Sequence, residues 1–518
     1  MIARSSETRS SRALVATVAI AIGLAVRMPT LAEPLLEGAA GKQTHTAMIA
    51  RNAYLGRTTW ARPVVDDIGR PGYFVKELPA VPVAAALSYG LLGGVQEWVG
   101  RLLPACAWLL ATPLVIDVAR RFAGPPVPLL AGLWFVLAPL GVVYSRAFMN
   151  DAVAVAVSIV TLWLGLRWKD APRAGAAAAT GLALWVALLL KPHAIFWTAP
   201  ALTVLSLRRP TSKTLDAAWL VGAVVMAVVL AAPWYLHAWS LHRTYPIPGA
   251  MVADGWVDVS LWWNPELYRV VFSQELWMVF TPAGALLAAY AWISRGRPRS
   301  ATSAALLAWG AGVAFHCILL ATRMFDEGAR RTEYYQLALV LPAAISIALG
   351  LADLGERLAN RARVRWIAVA GAIIALSYSA VSATVDAMTP PARYANLLRD
   401  CAIVKQLTGP ADEIAVVADR PGTVLYYCDR RGMALVPTDP PHAGARSEGQ
   451  PLDLAAAQAN ARLANDLARV RFLYVPFPEL LELTPKLAKE IERSWSRVPA
   501  APENVHLYER RRRPGPTG

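Results

Sequence analysis

The sequence predicts a polytopic α-helical membrane protein of about 11 transmembrane helices, followed by a small C-terminal α/β domain. Hydrophobic residues make up 56% of the 518 residues and charged residues only 17%, which is unlike a soluble enzyme. Apolar windows long enough to cross a bilayer core of about 30 Å recur up to residue 386. The residues after this point have an ordinary soluble composition.

Each predicted span is an apolar window close to the roughly 20 residues that a membrane-crossing helix needs. The windows lie near residues 13–29, 101–119, 126–145, 152–167, 174–190, 192–207, 215–238, 276–293, 302–322, 335–353 and 366–384. No small-residue cleavage site follows the first window, so we interpret it as a span and not as a cleaved signal peptide.

The distribution of positive charge predicts the orientation. The net charge is +15, and basic clusters occur before the first span and between later ones. They are Arg4/Arg9/Arg12, Arg120/Arg121, Arg167/Lys169/Arg173, Arg208/Arg209/Lys213, Arg295/Arg297/Arg299 and Arg357/Arg361/Arg363/Arg365. With a cytoplasmic N-terminus, all of them lie inside, as the positive-inside rule requires. This pattern predicts a bacterial inner-membrane protein with an extracytoplasmic C-terminal domain and indicates no nucleic-acid partner.

The first outer loop, about residues 30–100, must then lie entirely outside, although Leu78–Gly93 is apolar. We interpret that stretch as a helix lying at the membrane surface. Counting it as a span would move the next basic cluster to the outside.

The chain is predicted to divide at about Asp386 into a membrane domain, 1–386, and an α/β domain, 387–509, with a disordered tail over 510–518. The stretches EIAVVAD, MALVP and RFLYVP indicate buried strands, and residues 394–407, 452–469 and 478–494 indicate helices. Cys401 and Cys428 lie in this domain, and their spacing leaves open whether they form a disulfide.

Three carboxylates at the outer ends of the spans are candidate catalytic groups, since ionisable residues at a membrane bundle are often functional. Glu37 follows the first span, where a carboxylate beside apolar surface can act as a general base; a solvated loop acid is the alternative. Glu77 precedes the surface helix, whose dipole is by itself a sufficient reason for an acid. Asp151 either caps the next helix or takes part in chemistry.

Basic and aromatic residues at the same ends are candidate ligands for an anion. Lys76 could hold a phosphate. Lys191 interrupts a long apolar stretch on the outer side, where a snorkelling lysine in a tight turn is the alternative to a functional residue. Arg146 lies on the side that the orientation leaves poor in cations. The group before the tenth span comprises Arg330, Arg331, Tyr334 and Tyr335, and its arginines would suit an anionic headgroup.

The residues alone leave three classes of function open. No metal motif of recognised spacing, phosphate-binding loop, GxSxG turn or GxGxxG turn occurs in the sequence. A secondary transporter would place ionisable residues and helix breaks near the bilayer midplane and would show repeats, whereas here the charges lie at the span ends. A non-catalytic membrane scaffold for envelope glycan assembly is the other alternative to an enzyme.

Several segments, taken in order, resemble a known group of enzymes. They are EGAAGKQTHTAMIARN, FVKELPAVPVAAALSYGLLG, GRLLPACAWLLATPLVIDVARRFAG, LAPLGVVYSRAFMNDAVAV, LLLKPHAIF, PWYLHA and EYYQLALVLP. The resemblance is to the polyprenyl-phosphate-sugar-dependent glycosyltransferases of the GT-C fold, in the group that contains protein O-mannosyltransferases and the lipid A aminoarabinose transferase. It covers most of residues 10–390.

In many of these enzymes the first outer loop resembles D-W-H-x-W-R-Q-x-D-T-A. The matching positions here are Glu37, Gly38, Ala39, Gly41, Lys42, Gln43, His45, Thr46 and Ala47. The first acid is thus Glu37, the second is replaced by His45, and both tryptophans are absent. The resemblance implies Glu37 as the preferred base, with Asp151 and Glu77 as further catalytic candidates. Lys42, Gln43 and His45 join the candidate substrate-binding residues, and the family's tyrosine pair falls at Tyr334 and Tyr335.

The implied reaction is an inverting transfer of a sugar from a polyprenyl-phosphate donor to an acceptor hydroxyl on the extracytoplasmic face. The acceptor would be a lipid, a glycan or a protein, and membrane lipids would surround the enzyme. No cofactor is required by the residues, although some members of the group use a divalent metal.

Overall fold

The computed structural model describes residues 9–208, 214–246, 257–296, 300–324, 333–436, 450–451, 470–482 and 485–511. Within these ranges, seven helices are long and apolar enough to cross a membrane, and two bent helix pairs raise the number to nine. The chain is therefore a multi-pass membrane protein.

The helices up to residue 388 form the bundle and its connections. They are α1 (Arg9–Arg27), α2 (Ala40–Tyr54), α3 (Ala80–Leu92), α4 (Glu97–Ala119), α5 (Val127–Leu137), α6 (Pro139–Ser145), α7 (Asp151–Asp170), α8 (Ala174–Leu190), α9 (Ala194–Leu207), α10 (Thr214–Thr244), α11 (Pro265–Gln274), α12 (Pro282–Arg295), α13 (Ala301–Leu319), α14 (Ala321–Met324), α15 (Val340–Arg357) and α16 (Ala362–Met388).

Two predicted spans are not single straight helices. The predicted span 126–145 is the pair α5–α6, which bends by 53° at Pro139, and proline lacks the N–H that would continue the helix. The predicted span 276–293 begins within a π-helical turn after α11 and bends by 90° before α12, which opens with Pro282. Both differences arise at a proline that the apolar pattern does not register.

The remaining predicted spans correspond to helices of different lengths. Helices α8 and α9 have 17 and 14 residues, shorter than a typical span, so the number of about 11 stays a prediction. The apolar stretch assigned to the membrane surface is α3, whose 13 residues are too few to cross a bilayer.

The core of the bundle is built around α7 and α15. Helix α7 packs on α4, α8 and α9, and α15 packs on α5 and α12. Large aromatic side chains such as Trp168, Trp197 and Trp309 are fully buried between them. Helices α1, α10 and α16 instead expose many leucine, isoleucine and valine side chains, as lipid-facing helices do.

The C-terminal region contains a six-stranded sheet. Its strands are β1 (Glu413–Val417), β2 (Arg431–Val436), β3 (Gln450–Pro451), β4 (Phe472–Val475), β5 (Trp495–Arg497) and β6 (His506–Arg510), in the order β3-β2-β1-β4-β6-β5. The first four are parallel, and β6 runs antiparallel to both β4 and β5. Its helices are α17 (Leu397–Leu407), α18 (Pro421–Cys428), α19 (Glu479–Glu482) and α20 (Pro485–Ser494).

The three predicted strands are present as β1, β2 and β4, whereas β3, β5, β6 and α18 were not anticipated. The predicted helix over 452–469 and residues 512–518 of the predicted tail lie outside the described residues. Arg510, the first residue of the predicted tail 510–518, is the last residue of β6. Each missed element is short, and β5 carries too few residues to show an alternating pattern.

The connection between α1 and α4, residues 28–96, shares one hydrophobic core with the C-terminal sheet. Leu35, Met48 and Val65 from the connection pack in the same cluster as Tyr394 and Leu425. The predicted boundary at residue 386 therefore does not separate two cores, and the division into domains stays a prediction.

The structure contains a disulfide between Cys401 of α17 and Cys428 of α18, with Cα atoms 4.4 Å apart. Both residues are buried in this shared core. The sequence had left this pairing open, because the distance between two helices cannot be read from spacing.

We predict that replacing both cysteines, Cys401→Ala with Cys428→Ala, destabilises the C-terminal region by about 3–4 kcal/mol, since the disulfide closes a loop with a sequence separation of 27 residues. Limited proteolysis of the purified protein across a temperature series would measure the loss. Cys106→Ala, at an exposed free cysteine, is the matched control. Equal protease resistance of the double variant and the wild type would contradict the prediction.

Candidate functional site

One end of the bundle gathers charged side chains around a buried carboxylate, Asp151, at the start of α7. Lys42 of α2 places its Nζ 2.8 Å from Asp151 Oδ2, and Lys191, which follows α8, contacts Asp151 Oδ1. A buried carboxylate requires such partners because its desolvation is otherwise costly. Asp151 thus links α7 to α2 and to the turn that follows α8.

Two tyrosines form an aromatic wall beside these lysines. The Lys42 Nζ lies 4.5 Å from the centre of the Tyr334 ring, and the Lys191 Nζ lies 4.6 Å from that of Tyr335. The two rings meet edge to face at 4.9 Å. Cations over ring faces at these distances are attracted by the ring quadrupole, so the wall favours charged lysines.

Glu77, just before α3, completes the group. Its Oε1 lies 3.7 Å from Lys42 Nζ, and its side chain remains 22% exposed. Burial alone would lower the pKa of Lys42, but Asp151 above all, with Tyr334 and Glu77, raises it well above its ordinary value. We call Lys42, Glu77, Asp151, Lys191, Tyr334 and Tyr335 the lysine–aspartate cluster.

Glu37 lies in a separate arrangement. Its Oε1 is 2.5 Å from Arg101 Nη1 and 3.3 Å from Arg146 Nη1, and the residue is only 4% exposed. Burial alone would raise the pKa of Glu37, but Arg101 and then Arg146 outweigh it and hold the pKa below its ordinary value. Glu37 is therefore an ionised carboxylate enclosed by two guanidinium groups.

Two residues expected to bind substrate instead make contacts within the protein. The Gln43 amide donates to Gly38 O at 2.9 Å, and its side-chain oxygen accepts from Phe148 N at 3.1 Å. His45 Nε2 lies 2.6 Å from Asp67 Oδ2. A Cβ at Gly422 of α18 would stand 2.4 Å from that same Asp67 oxygen, so a larger residue there would displace the carboxylate that contacts His45.

The C-terminal region holds α2 through a second ion-pair network. Arg51 of α2 pairs with Asp66 at 2.9 Å and with Asp429 at 2.8 Å, and Arg431 of β2 approaches Asp66 at 3.3 Å. Backbone hydrogen bonds join the connection to Gly432 at the same place. Because α2 also carries Lys42, the C-terminal region helps to position the lysine–aspartate cluster.

The sequence-predicted site residues are thus divided among several places. The lysine–aspartate cluster brings together Lys42, Glu77, Asp151, Lys191, Tyr334 and Tyr335. The other predicted residues lie elsewhere. Glu37 and Arg146 form an ion pair with each other, and Gln43 and His45 make hydrogen bonds within the protein. The Nζ of Lys76 lies over the Phe74 ring. Arg330 and Arg331 fall outside the described residues.

Sequence reasoning missed Arg101, Asp66 and Asp67 as partners of predicted residues. Arg101 had a signal, since it is a charge at the start of an apolar span, where an ion-pair partner is expected. The two aspartates had none, because their partners lie in α2 and in the C-terminal region. Among the described residues, no group of three or more His, Cys, Asp or Glu side chains could hold a metal ion.

Comparison with known proteins agrees with this architecture. The family model described as dolichyl-phosphate-mannose-protein mannosyltransferase matches residues 76–237, which include Glu77, Asp151 and Lys191. None of the curated proteins matches the sequence significantly.

Solved structures match along nearly the whole chain. ArnT from Cupriavidus metallidurans bound to undecaprenyl phosphate is 16% identical, with a TM-score of 0.62 over 95% of this chain and 97% of that one. The Archaeoglobus fulgidus oligosaccharyltransferase is 14% identical, with a TM-score of 0.52 over 91% and 70%. The mycobacterial arabinofuranosyltransferase AftD is 15% identical, with a TM-score of 0.54 over 98% and 40%.

These matches show that the chain has the GT-C fold and confirm the resemblance seen in the sequence. The family model is described as a mannosyltransferase, and two of these structures are described as an oligosaccharyltransferase and an arabinofuranosyltransferase. At this level of identity the likeness establishes the fold alone.

We predict that Glu37→Gln lowers the free energy of unfolding by about 3–5 kcal/mol at pH 7, because it leaves two buried arginines without their carboxylate. The folded-state pKa of Glu37 is depressed, so its stabilisation is present above the unfolded pKa and is lost as the pH falls through the folded value. The difference in unfolding temperature between the variant and the wild type should therefore become smaller below about pH 4.

The control for this experiment is Glu503→Gln, at an exposed glutamate of the C-terminal region. Its unfolding temperature should follow the wild type at every pH. A Glu37→Gln protein as stable as the wild type at pH 7 would show that the arginine enclosure contributes no net stability.

Proposed function

We propose that this protein is a membrane glycosyltransferase that moves a sugar from a polyprenyl-phosphate donor to an acceptor hydroxyl. The observation that supports it best is the lysine–aspartate cluster: two lysines, a partly exposed carboxylate and an aromatic wall at one end of a GT-C bundle. Lysines of this kind bind phosphate as point charges. The phosphate of the lipid carrier would lie against Lys42, whose side chain is 21% exposed, and the buried Lys191 would act on it at longer range.

The proton acceptor is most simply assigned to Glu77. Glu37 is enclosed by Arg101 and Arg146, and Asp151 is buried between two lysines, so neither presents an open oxygen. Glu77 keeps one moderate contact with Lys42 and remains partly exposed. The sequence resemblance prefers Glu37 as the base; the side-chain environments favour Glu77, with Asp151 holding the lysines in place.

The reaction then proceeds by displacement with inversion. Glu77 takes the proton of the acceptor hydroxyl while the oxygen forms a bond to the anomeric carbon. The bond from that carbon to the phosphate oxygen breaks, and the polyprenyl phosphate leaves with the electron pair. Lys42 and Lys191 offset the charge that develops on the leaving phosphate. Proton transfer by a positioned carboxylate is typically worth 10²–10⁴-fold in rate.

The orientation follows from the same positive-inside pattern that the sequence shows. We infer a bacterial inner-membrane protein with a cytoplasmic N-terminus, which places the cluster and the C-terminal sheet on the extracytoplasmic face. A disulfide between Cys401 and Cys428 suits that oxidising compartment. Donor lipid and acceptor would meet at the membrane surface beside α2 and α3.

We predict that Glu77→Gln lowers the rate of sugar transfer by roughly 10²–10⁴-fold with little change in the amount of folded protein. The assay uses proteoliposomes, a panel of radiolabelled polyprenyl-phosphate sugars and endogenous membrane acceptors. Glu37→Gln, assayed beside it at matched folded concentration, should retain more activity than Glu77→Gln.

Glu503→Gln is the control for this assay and should transfer at the wild-type rate. Transfer lost in Glu37→Gln but retained in Glu77→Gln would return the base to Glu37. Absence of transfer from every donor by the wild-type protein would contradict the proposed function and favour a transporter or a non-catalytic scaffold.

A second prediction concerns recognition of the lipid phosphate. Lys42→Gln should weaken binding of undecaprenyl phosphate by roughly 10–100-fold, the effect expected from losing one charge-assisted contact. Binding of undecaprenol, which has no phosphate, should be unchanged. Equilibrium binding in detergent would measure both, and an equal loss for the two lipids would indicate damage to the fold in place of a lost phosphate contact.

A further inference from the structure

A cavity of about 760 Å³ reaches Glu37 at one end and is not used by the proposed chemistry. Its walls come from α1, α5, α15 and α16, and are almost entirely apolar. They include Leu133, Trp134, Ile347, Leu351, Ile373 and Leu376. The volume is within the roughly 300–1,000 Å³ typical of ligand sites.

The position of the cavity selects an apolar chain as its occupant. Helices α1 and α16 are long enough to cross the membrane and bury little of their surface inside the protein. A cavity between them borders the hydrocarbon region, so its contents come from the lipid phase. Successive membrane spans alternate in direction. Leu130 and Leu351 therefore lie toward the end of the bundle opposite Glu37, and Thr389 lies at the same end as Glu37.

The charged groups of the cavity, Glu33, Glu37 and Arg146, are confined to that end, which together with Thr30 we call its mouth. Arg146 is buried, paired with Glu37, and also donates to Thr30 O at 3.1 Å. Among these four residues, the exposed charged side chain is the carboxylate of Glu33. A phosphate is disfavoured beside it, whereas a hydroxyl-bearing head group is compatible.

The mouth lies one side chain away from the lysine–aspartate cluster. A Cβ at Gly38, next to Glu37, would stand 3.4 Å from the Tyr144 hydroxyl. The centres of the Tyr144 and Tyr334 rings are 5.6 Å apart, and the Nζ of Lys42 lies over the Tyr334 ring. A lipid held in the cavity would therefore present its head group close to the position where the sugar is transferred.

We propose that this cavity binds the hydrocarbon chain of the acceptor, so that the acceptor is a membrane lipid with a neutral, hydroxyl-bearing head group. This inference rests on the proposed function and adds the acceptor class to it. The donor is then bound by its phosphate at the lysines, and the acceptor by its chain in the cavity. Two lipids reach one carboxylate from different sides of Tyr144.

The first test is photolabelling of the full-length protein in phosphatidylcholine vesicles, with a diacylglycerol that carries a diazirine in one acyl chain. Labels should fall within residues 127–137 and 373–388. Ser377→Phe places a ring in the cavity from an exposed position of α16. It should reduce labelling roughly tenfold, as expected when about two methylene groups of the chain lose their burial.

Ser382→Phe is the matched control, because Ser382 is an exposed serine of the same helix that does not line the cavity. It should label like the wild type. Excess undecaprenyl phosphate should leave the labelling unchanged. Displacement of the probe by undecaprenyl phosphate would assign the cavity to the donor and overturn the proposal, and so would absence of labelling in these two segments.

The second test measures sugar transfer to the same diacylglycerol and to glycerol, its water-soluble head group. Ser377→Phe should raise the KM for the diacylglycerol and leave kcat unchanged. Transfer to glycerol or to proteins with no labelling of the cavity would overturn this inference alone. Labelling without transfer from any donor would overturn the proposed function and, with it, the acceptor role.

Discussion

The arrangement of this protein depends on the need to neutralise Asp151 in a buried position. Its carboxylate draws Lys42 from the connection and Lys191 from the turn between α8 and α9. A single unpaired charge there would cost several kcal/mol, so the three elements are held in one relative position. Tyr334 and Tyr335 then pack over the lysines, and Glu77 is placed by its contact with Lys42.

The need to neutralise a buried charge also explains why three carboxylates of the protein have three different environments. Glu37 has two arginines and is enclosed, Asp151 has two lysines and is buried, and Glu77 has one lysine and some solvent. Residues that look alike in a sequence are thus separated by the number of cations that each one meets. Chemistry requires an oxygen that substrate can reach, and the count of partners decides which residue offers one.

The sequence predicted the helical bundle well, because membrane spans are set by local hydrophobicity and length. It also selected Glu77, Asp151 and Lys191 as polar residues at span ends, and the family resemblance added Lys42. It did not anticipate the bends at Pro139 and Pro282 or the enclosure of Glu37 by Arg101. The bends occur at prolines, which are present in the sequence but do not alter the apolar pattern, and Arg101 is visible as a charge at the start of a span. Its pairing with Glu37 joins segments distant in the chain, and a single sequence carries no signal for that pairing.

The ion pairs between α2 and the C-terminal sheet have a consequence for how this architecture can be altered. Arg51, Asp66 and Arg431 belong to different segments, yet they close one network, and the connection shares a core with the sheet. Exchange of the C-terminal region with that of a relative would therefore break the support of the helix that carries Lys42. A functional chimera would therefore need residues 28–96 and the C-terminal sheet from the same protein.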